Sequence, residues 1–394
     1  MMTLQEAMSL DQSYVAHTYA RAPFLPSHGR GATCWDCGGK QYIDFSSGIG
    51  VTSLGFADPE WVAAVSKQAE EYAHICNYYY SAPGEETAKL LCEKSGMKKV
   101  LFANSGAEAN EGMIKTARKY SQEKYGPERS EIITLVNSFH GRTVTTLTAT
   151  GQPAMHRFFY PFTPGFCYAE ANNFEDLLAK ISGHTAGIMV EMIQGEGGVV
   201  PLEAEFVKKV AALCKERDIL LLVDEVQTGN GRTGFFYSYQ AFGVEPDIVS
   251  TAKGLGNGLP IGAVLFGEKT ENVLKPGDHG TTFGMNPIVC AGAKVVLNRI
   301  DDAFLKEVSR KGEKLKKALE GAENVASVTG MGLMLGVLPK QGDAHEIFDL
   351  CRGKGLLVLT AKDKVRLLPP LVITDAELEQ GAAILKQVLK EAAA

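Results

Sequence analysis

Short apolar runs punctuate this chain, and between them apolar residues recur every three or four positions. The runs at 100–103, 132–136, 188–193, 219–223 and 248–252 are rich in Val, Ile and Leu, and their length and composition predict strands buried on both faces. Helical spacing marks the stretch from Pro59, where Trp61, Val65, Ala69 and Tyr72 share a face, and a stretch that runs to about Gly96. It returns beyond Ala107, and again where Phe304, Val308, Leu315 and Leu319 recur. The first 57 residues read as an irregular arm, then short strands around GATCWDCGGKQYIDF joined by a Gly-Gly turn. Short strands return around GMGLMLGV and GLLVL near the other end.

A chain of 394 residues with 45% hydrophobic content exceeds the size that one core usually serves. The expected division is an arm and part of a small domain over 1–57, a large domain over 58–286 and a small α/β domain over 287–394. No internal repeat, low-complexity tract or long polar linker interrupts this plan.

The net charge of −6 comes with no cluster of Lys or Arg, which argues against a nucleic-acid partner. The opening MMTLQEAMSLDQ lacks a basic segment followed by an apolar one, and no apolar run approaches a membrane span, so a cytoplasmic protein is expected. Cysteines stand at Cys34, Cys37, Cys76, Cys92, Cys167, Cys214, Cys290 and Cys351. Cys34 and Cys37 form a C-x-x-C, but no second pair or His pair lies at zinc spacing, so a strand and turn carrying two thiols is the reading and no metal site is expected.

Candidate chemistry concentrates between residues 219 and 261. The apolar runs there end on Asp224 and Lys253, and charges at the ends of buried strands are costly without a partner or ligand. An amine that can form a Schiff base and a carboxylate that can keep a ring nitrogen protonated suit pyridoxal 5'-phosphate (PLP); a plain ion pair between strand ends is the alternative. In KVLFANSGAEAN a buried strand leads through Ser105, Gly106 and Ala107 into a helix. That arrangement aims free amides at a phosphate, or simply caps a helix with Ser105. Gly195 and the pair Gly197-Gly198 flank Glu196 in QGEGGVVP and suggest a tight turn carrying one carboxylate.

Several of these segments resemble class III aminotransferases, and within them the acetylornithine enzymes: DEVQTGNGRTG, STAKGLGNGLPIGA, SGAEAN, FHGR, IQGEGG and HGTTF stand in family order between Trp35 and Ile373. The resemblance implies the α/β architecture of PLP-dependent transferases of fold type I, a mostly parallel sheet between helices with a small domain built from both chain ends. It implies that Lys253 bonds PLP and then moves the proton, that Asp224 holds the ring nitrogen, and that Ser105, Gly106 and Ala107 cradle the phosphate. Phe139 and Val226 would cover the ring faces, Gln227 would bond the phenolic oxygen, and Thr282 would reach the phosphate of the other subunit of a homodimer. Arg142 and Arg366 would bind substrate carboxylates, with Glu196 pairing Arg366 when the amine donor is bound. Ile49 stands where ornithine δ-aminotransferases carry a carboxylate-binding Tyr.

This sequence departs from the family at Ala107 (commonly Thr), at Met192 (commonly Pro) and in Gly55-Phe56-Ala57-Asp58-Pro59, where the family has G-H-x-H-P. In the run Gly254-Leu255-Gly256-Asn257-Gly258, Asn257 replaces a Gly, and Asn tolerates the left-handed conformation. The resemblance implies small-molecule substrates: N-acetylornithine as donor and 2-oxoglutarate as acceptor, returning glutamate, in arginine biosynthesis. Ornithine, 4-aminobutyrate, succinylornithine or an acylated lysine are alternative donors. A non-catalytic PLP-binding protein is the other class of reading, disfavoured because Lys253 is present and no DNA-binding segment is fused.

Overall fold

The computed structural model describes residues 2–393, so the first residue of the expected arm and the last of the C-terminal segment lie outside it. Its centre is a seven-stranded sheet in the order Lys99–Ala103, Gly262–Phe266, Ile248–Thr251, Leu220–Asp224, Thr185–Val190, Glu131–Leu135, Phe166–Ala169. Gly262–Phe266 is antiparallel to both neighbours and the other pairings are parallel, which makes this an α/β fold with a mostly parallel sheet. The uniformly apolar runs are explained by cover on both faces. Leu220 and Leu222 pack with Ala109, Met113 and Ile114 of the Gly106–Tyr125 helix. Leu221 and Val223 pack with Phe206, Val207 and Val210 of the Ala204–Arg217 helix on the other face. Alternate residues of one strand therefore serve opposite layers, so neither can be polar.

Both chain ends contribute to the rest. Pro26–Arg30, Thr33–Asp36 and Gln41–Asp44 form a sheet that Leu356–Leu357 completes in parallel with Gln41–Asp44. A further four-stranded sheet, Val325–Met331, Met334–Pro339, Lys364–Leu367 and Leu359–Ala361, shares its core with the helices Asp302–Leu319, Ala344–Gly353 and Asp375–Glu391. Val308, Leu315 and Leu319 are buried in that core, with Phe304 packed against it, as their spacing predicts. Cys34 is buried in its strand and Cys37 is exposed at the turn; both are free thiols.

Three local expectations need correction. The arm is not wholly irregular: Leu4–Tyr14 is a helix, started by a capping box in which Thr3 Oγ1 accepts from Glu6 N–H at 3.2 Å and Glu6 accepts from Thr3 N–H at 2.8 Å. The T-x-x-E in TLQE is the sequence signal for it. In the Pro59–Glu71 helix, Trp61 and Val65 face inward as expected, but Ala64 and the buried Gln68 complete the face while Ala69 and Tyr72 are exposed. The Pro287–Arg299 helix sets that face, since a Cβ added to its Gly292 would lie 2.8 Å from the Trp61 indole nitrogen. The run at 188–193 is not one strand. Pairing in the large sheet stops at Val190, and Ile193–Gln194 forms a hairpin with Val200–Pro201, because the chain bends at Met192.

The departures at 55–59 are accommodated. Phe56 exchanges backbone hydrogen bonds with Gly31 at 2.8 and 2.9 Å, and Asp58 caps the next helix by accepting from Trp61 N–H at 3.0 Å. Substituting Asp58 by Ala should cost about 1 kcal/mol and Asn, which also caps, less; midpoints of chemical denaturation for the two variants measure the difference.

Candidate active site

Parallel pairing brings the chemistry to one edge. Register Val223↔Val190 sets Glu191 beside Asp224 on adjacent strand ends, and register Asp224↔Ser250 puts Lys253 one short turn beyond. A cavity of about 410 Å³ opens at this edge, lined by Asp224, Lys253, Ser105, Gly106, Ala107, Phe139, Arg142, Glu191, Val226 and Gln227, among others.

Asp224 is 3% exposed and held by three donors. Its Oδ2 lies 2.7 Å from Asn110 Nδ2 and 2.8 Å from His140 Nδ1, and its Oδ1 accepts from Val226 N–H at 2.9 Å. Asn110 is itself fixed, donating to the His140 carbonyl at 2.7 Å and accepting from Ser250 Oγ at 2.6 Å. With a carboxylate on Nδ1, the neutral tautomer of His140 carries its proton there. This network satisfies a buried carboxylate and fixes its aim.

Lys253 adopts φ +43°, a left-handed conformation that costs a non-glycine residue free energy and clusters at functional sites. Its ammonium makes no hydrogen bond to protein among the described residues. Burial pushes its pKa below the usual lysine value, Glu196 pulls it up, and Arg366 adds to the depression. The amine is thereby nearer to its nucleophilic form.

Ser105 caps the Gly106–Tyr125 helix, its Oγ accepting from Glu108 N–H at 3.2 Å. The capping reading is therefore realised, and it coexists with the other, since the first-turn amides of Gly106 and Ala107 have no acceptor within the helix and line the cavity. A Cβ on Gly106 would approach Val226 Cγ1 to 2.6 Å, so the chain comes close there only without a side chain. First-turn donors, a poised amine and a buried, firmly held carboxylate around one cavity match the phosphate, aldehyde and ring nitrogen of PLP.

Beyond Gln227, Arg366 Nη1 lies 2.5 Å from Glu196 Oε1 and 3.1 Å from Gln227 Oε1, while Gln227 Nε2 donates to Glu196 Oε1 at 3.2 Å. Burial pushes the Glu196 carboxyl up, but Arg366, with Lys253 and Gln227, outweighs it and holds the group below its usual value. Arg142 is exposed, its guanidinium 5.6 Å from the Phe139 ring centroid, within cation–π range. Asn257 is left-handed at φ +48°, and its Oδ1 accepts from Leu54 N–H at 2.7 Å. Four candidates do not line the cavity of the single chain: Glu196 and Arg366 lie beyond Gln227, Thr282 is exposed, and Ile49, with φ +70°, is 42% exposed on the Ser47–Gly50 turn.

Sequence reading missed Asn110, His140 and Glu191. Glu191 carried the same signal as Asp224, a carboxylate ending a buried run, and was passed over because the run was extended through it. His140 stood between two chosen residues of FHGR. Asn110 left no local signal, since only the fold carries its helix face to Asp224.

A family model described as Aminotransferase class-III matches residues 14–389. The chain belongs to the class III aminotransferases. Among curated relatives, it is similar to the acetylornithine aminotransferase of Haemophilus ducreyi, 51% identical over 99% of this chain and 100% of that protein. That of Caldanaerobacter subterraneus is 45% identical over 98% and 99%. Among solved structures, an ornithine aminotransferase from Toxoplasma gondii, described with PLP at partial occupancy in its active site, matches with TM-score 0.95 at 31% identity, covering 99% of this chain and 95% of that one. The N-acetylornithine aminotransferase of Stenotrophomonas maltophilia matches with TM-score 0.84 at 36% identity, covering 98% of each.

The Glu196–Arg366 pair supports a pH prediction. Because the folded-state pKa of Glu196 is depressed, its stabilisation is present above the unfolded value near 4.5 and lost as pH falls through the folded value. Arg366→Met leaves the carboxylate unpaired and should cost about 3 kcal/mol at pH 7. The deficit should shrink as pH falls below about 4.5, as read from denaturation midpoints across pH.

Proposed function

We propose that this chain transfers the terminal amino group of N-acetylornithine to 2-oxoglutarate, giving N-acetylglutamate 5-semialdehyde and glutamate, with PLP as cofactor and a place in arginine biosynthesis. The carrying observation is Arg366, a buried guanidinium held by Glu196 and Gln227 beside Lys253. A cation neutralised by a carboxylate on a glycine-flanked turn lets one site accept a terminal amine and also an amino acid with two carboxylates. The names of the relatives support the substrate choice.

PLP would be held by Ser105, Gly106 and Ala107 at its phosphate, with Thr282 of the partner subunit reaching the same phosphate, by Phe139 and Val226 on its ring faces, by Gln227 at its phenolic oxygen and by Asp224 at its ring nitrogen. When bound, it supplies an electron sink for the carbanion formed at the substrate carbon. Asp224, braced by Asn110 and His140, keeps a proton on the ring nitrogen. The Lys253 amine would take the proton from the substrate carbon that bears nitrogen and hold it for return. Arg142 binds the α-carboxylate of the donor or the distal carboxylate of glutamate, and Arg366, once Glu196 moves off, takes the α-carboxylate of glutamate.

We also infer a homodimer with shared sites. Tyr78 and Tyr80, each 95% exposed, and Phe283, 61% exposed beside Thr282, leave aromatic surface of the kind that subunit interfaces cover. No helix among the described residues is long and apolar enough to cross a membrane, and we read the protein as cytoplasmic.

Single-turnover spectroscopy of the PLP-loaded protein tests this reading. N-acetylornithine and glutamate should each discharge the absorbance of the lysine-bound cofactor, with ornithine slower by about 10- to 100-fold, since Ile49 offers its α-carboxylate no donor. Fast conversion by ornithine or 4-aminobutyrate would transfer the assignment to another terminal-amine aminotransferase. Glu196→Ala should cut the ratio of kcat/KM for N-acetylornithine over glutamate by about 10-fold, and an unchanged ratio would remove the Arg366 exchange.

A further inference from the structure

Glu191 is a buried carboxylate, 6% exposed, in the cavity wall, and the mechanism above gives it no task. No Lys or Arg lies within ion-pair distance of it among the described residues; at this edge His140 is hydrogen-bonded to Asp224 and Arg366 is paired with Glu196. Burying such a group is costly without compensation. The compensation here is two backbone donors from different segments: Phe139 N–H on Oε2 at 3.0 Å and Gly195 N–H on Oε1 at 3.4 Å. Phe139 carries the aromatic wall, and Gly195 immediately precedes Glu196.

We propose that Glu191 is a positioning residue that ties the Phe139 wall to the root of the Glu196 turn, so that Glu196 keeps its place on Arg366 and the site keeps its preference for the amine donor over glutamate. The turn is already seated on one side, since a Cβ on Gly195 would come within 2.2 Å of Gln227 Oε1. The bond from Gly195 N–H to Glu191 is a second restraint on the same residue. A carboxylate suits this task because both its oxygens accept. An amide of the same shape offers one acceptor and turns an N–H donor towards a backbone donor, so Gln is a poor replacement.

The surroundings make the tie sensitive to protonation. Burial first, and the charge of Asp224 second, raise the Glu191 pKa to about 7, against the opposing pull of His140 and the two amides; Lys253 also feels its charge. The sign follows: above that value both oxygens of the anion hold their donors, and below it the protonated carboxyl holds the long Gly195 bond more weakly.

The inference rests on the proposed exchange at Arg366, and its test separates the two. PLP affinity, from quenching of intrinsic fluorescence, is measured for wild type and Glu191→Gln, along with kcat/KM for N-acetylornithine and glutamate from about pH 6 to 8.5 and thermal melting. The expected result is PLP binding weaker by about 5-fold, from loosening of the stacked Phe139. The donor-to-glutamate ratio should also be lower by about 5- to 10-fold at pH 8, and flat with pH where the wild-type ratio falls on acidification. Wild-type PLP affinity, ratio and pH profile in Glu191→Gln would overturn the proposal, and so would a lower melting temperature with these three unchanged. If the wild type itself does not turn over N-acetylornithine, the proposed function fails, and unchanged PLP affinity in Glu191→Gln then still rejects the tie to Phe139. Should Glu191→Gln not fold, Glu191→Asp, which keeps the charge but draws both oxygens back by one methylene, is read by PLP affinity and by the ratio at pH 8, and wild-type values of both would overturn the proposal.

Discussion

A carboxylate sealed inside the end of a central strand has to be satisfied or it unfolds the site around it. Asp224 meets that demand with donors from three places: the first turns of the Gly106–Tyr125 helix through Asn110, the loop after Glu131–Leu135 through His140, and its own following turn through Val226. Each donor fixes a different wall of the cavity. Asn110 fixes the helix whose start carries Gly106 and Ala107, His140 fixes the loop of Phe139 and Arg142, and Val226 leads directly to Gln227. The cavity walls are therefore assembled around one charge, and charge-assisted hydrogen bonds in a dry interior are strong enough to do it.

The sheet makes this possible. Parallel strands deliver the carboxyl ends of separate segments to one edge, where side chains leave the apolar sandwich and meet. Three carboxylates, Asp224, Glu191 and Glu196, collect there with Lys253 and Arg366. Their environments differ. Glu196 has a guanidinium at 2.5 Å and stays ionised, whereas Glu191 has two backbone amides and is pushed up to about 7. Proximity to a cation, rather than burial alone, decides which of these groups carries charge at neutral pH.

Strained backbone marks the same region. Lys253 and Ile49 both sit at positive φ, and the Ser47–Gly50 turn lies against the turn that follows Lys253, where a Cβ on Gly254 would approach Ser53 Oγ to 2.5 Å. A β-branched residue in the left-handed region persists only where its surroundings over-determine it. Here the surroundings are a glycine-rich turn packed against another, and Leu54 N–H bonded to Asn257.

Hydrophobic patterning by itself marked five of the seven strands of the large sheet, because a run covered on both faces is largely apolar and so announces itself, but it left Phe166–Ala169 and Gly262–Phe266 unmarked. It also determined that Asp224 and Lys253 stand at strand ends and that glycines surround Glu196, since charge after an apolar run and clustered Gly are local features. The 4–14 helix was equally legible in TLQE and was overlooked for want of an apolar face. Only the tertiary structure decided which strands are neighbours, and with them that Glu191 stands beside Asp224, that Asn110 and His140 converge on one oxygen, and that Arg366 arrives at Glu196 from 170 residues away. Those contacts depend on strand order and register, which are set by packing summed over the whole sheet and leave no trace in any single stretch of residues.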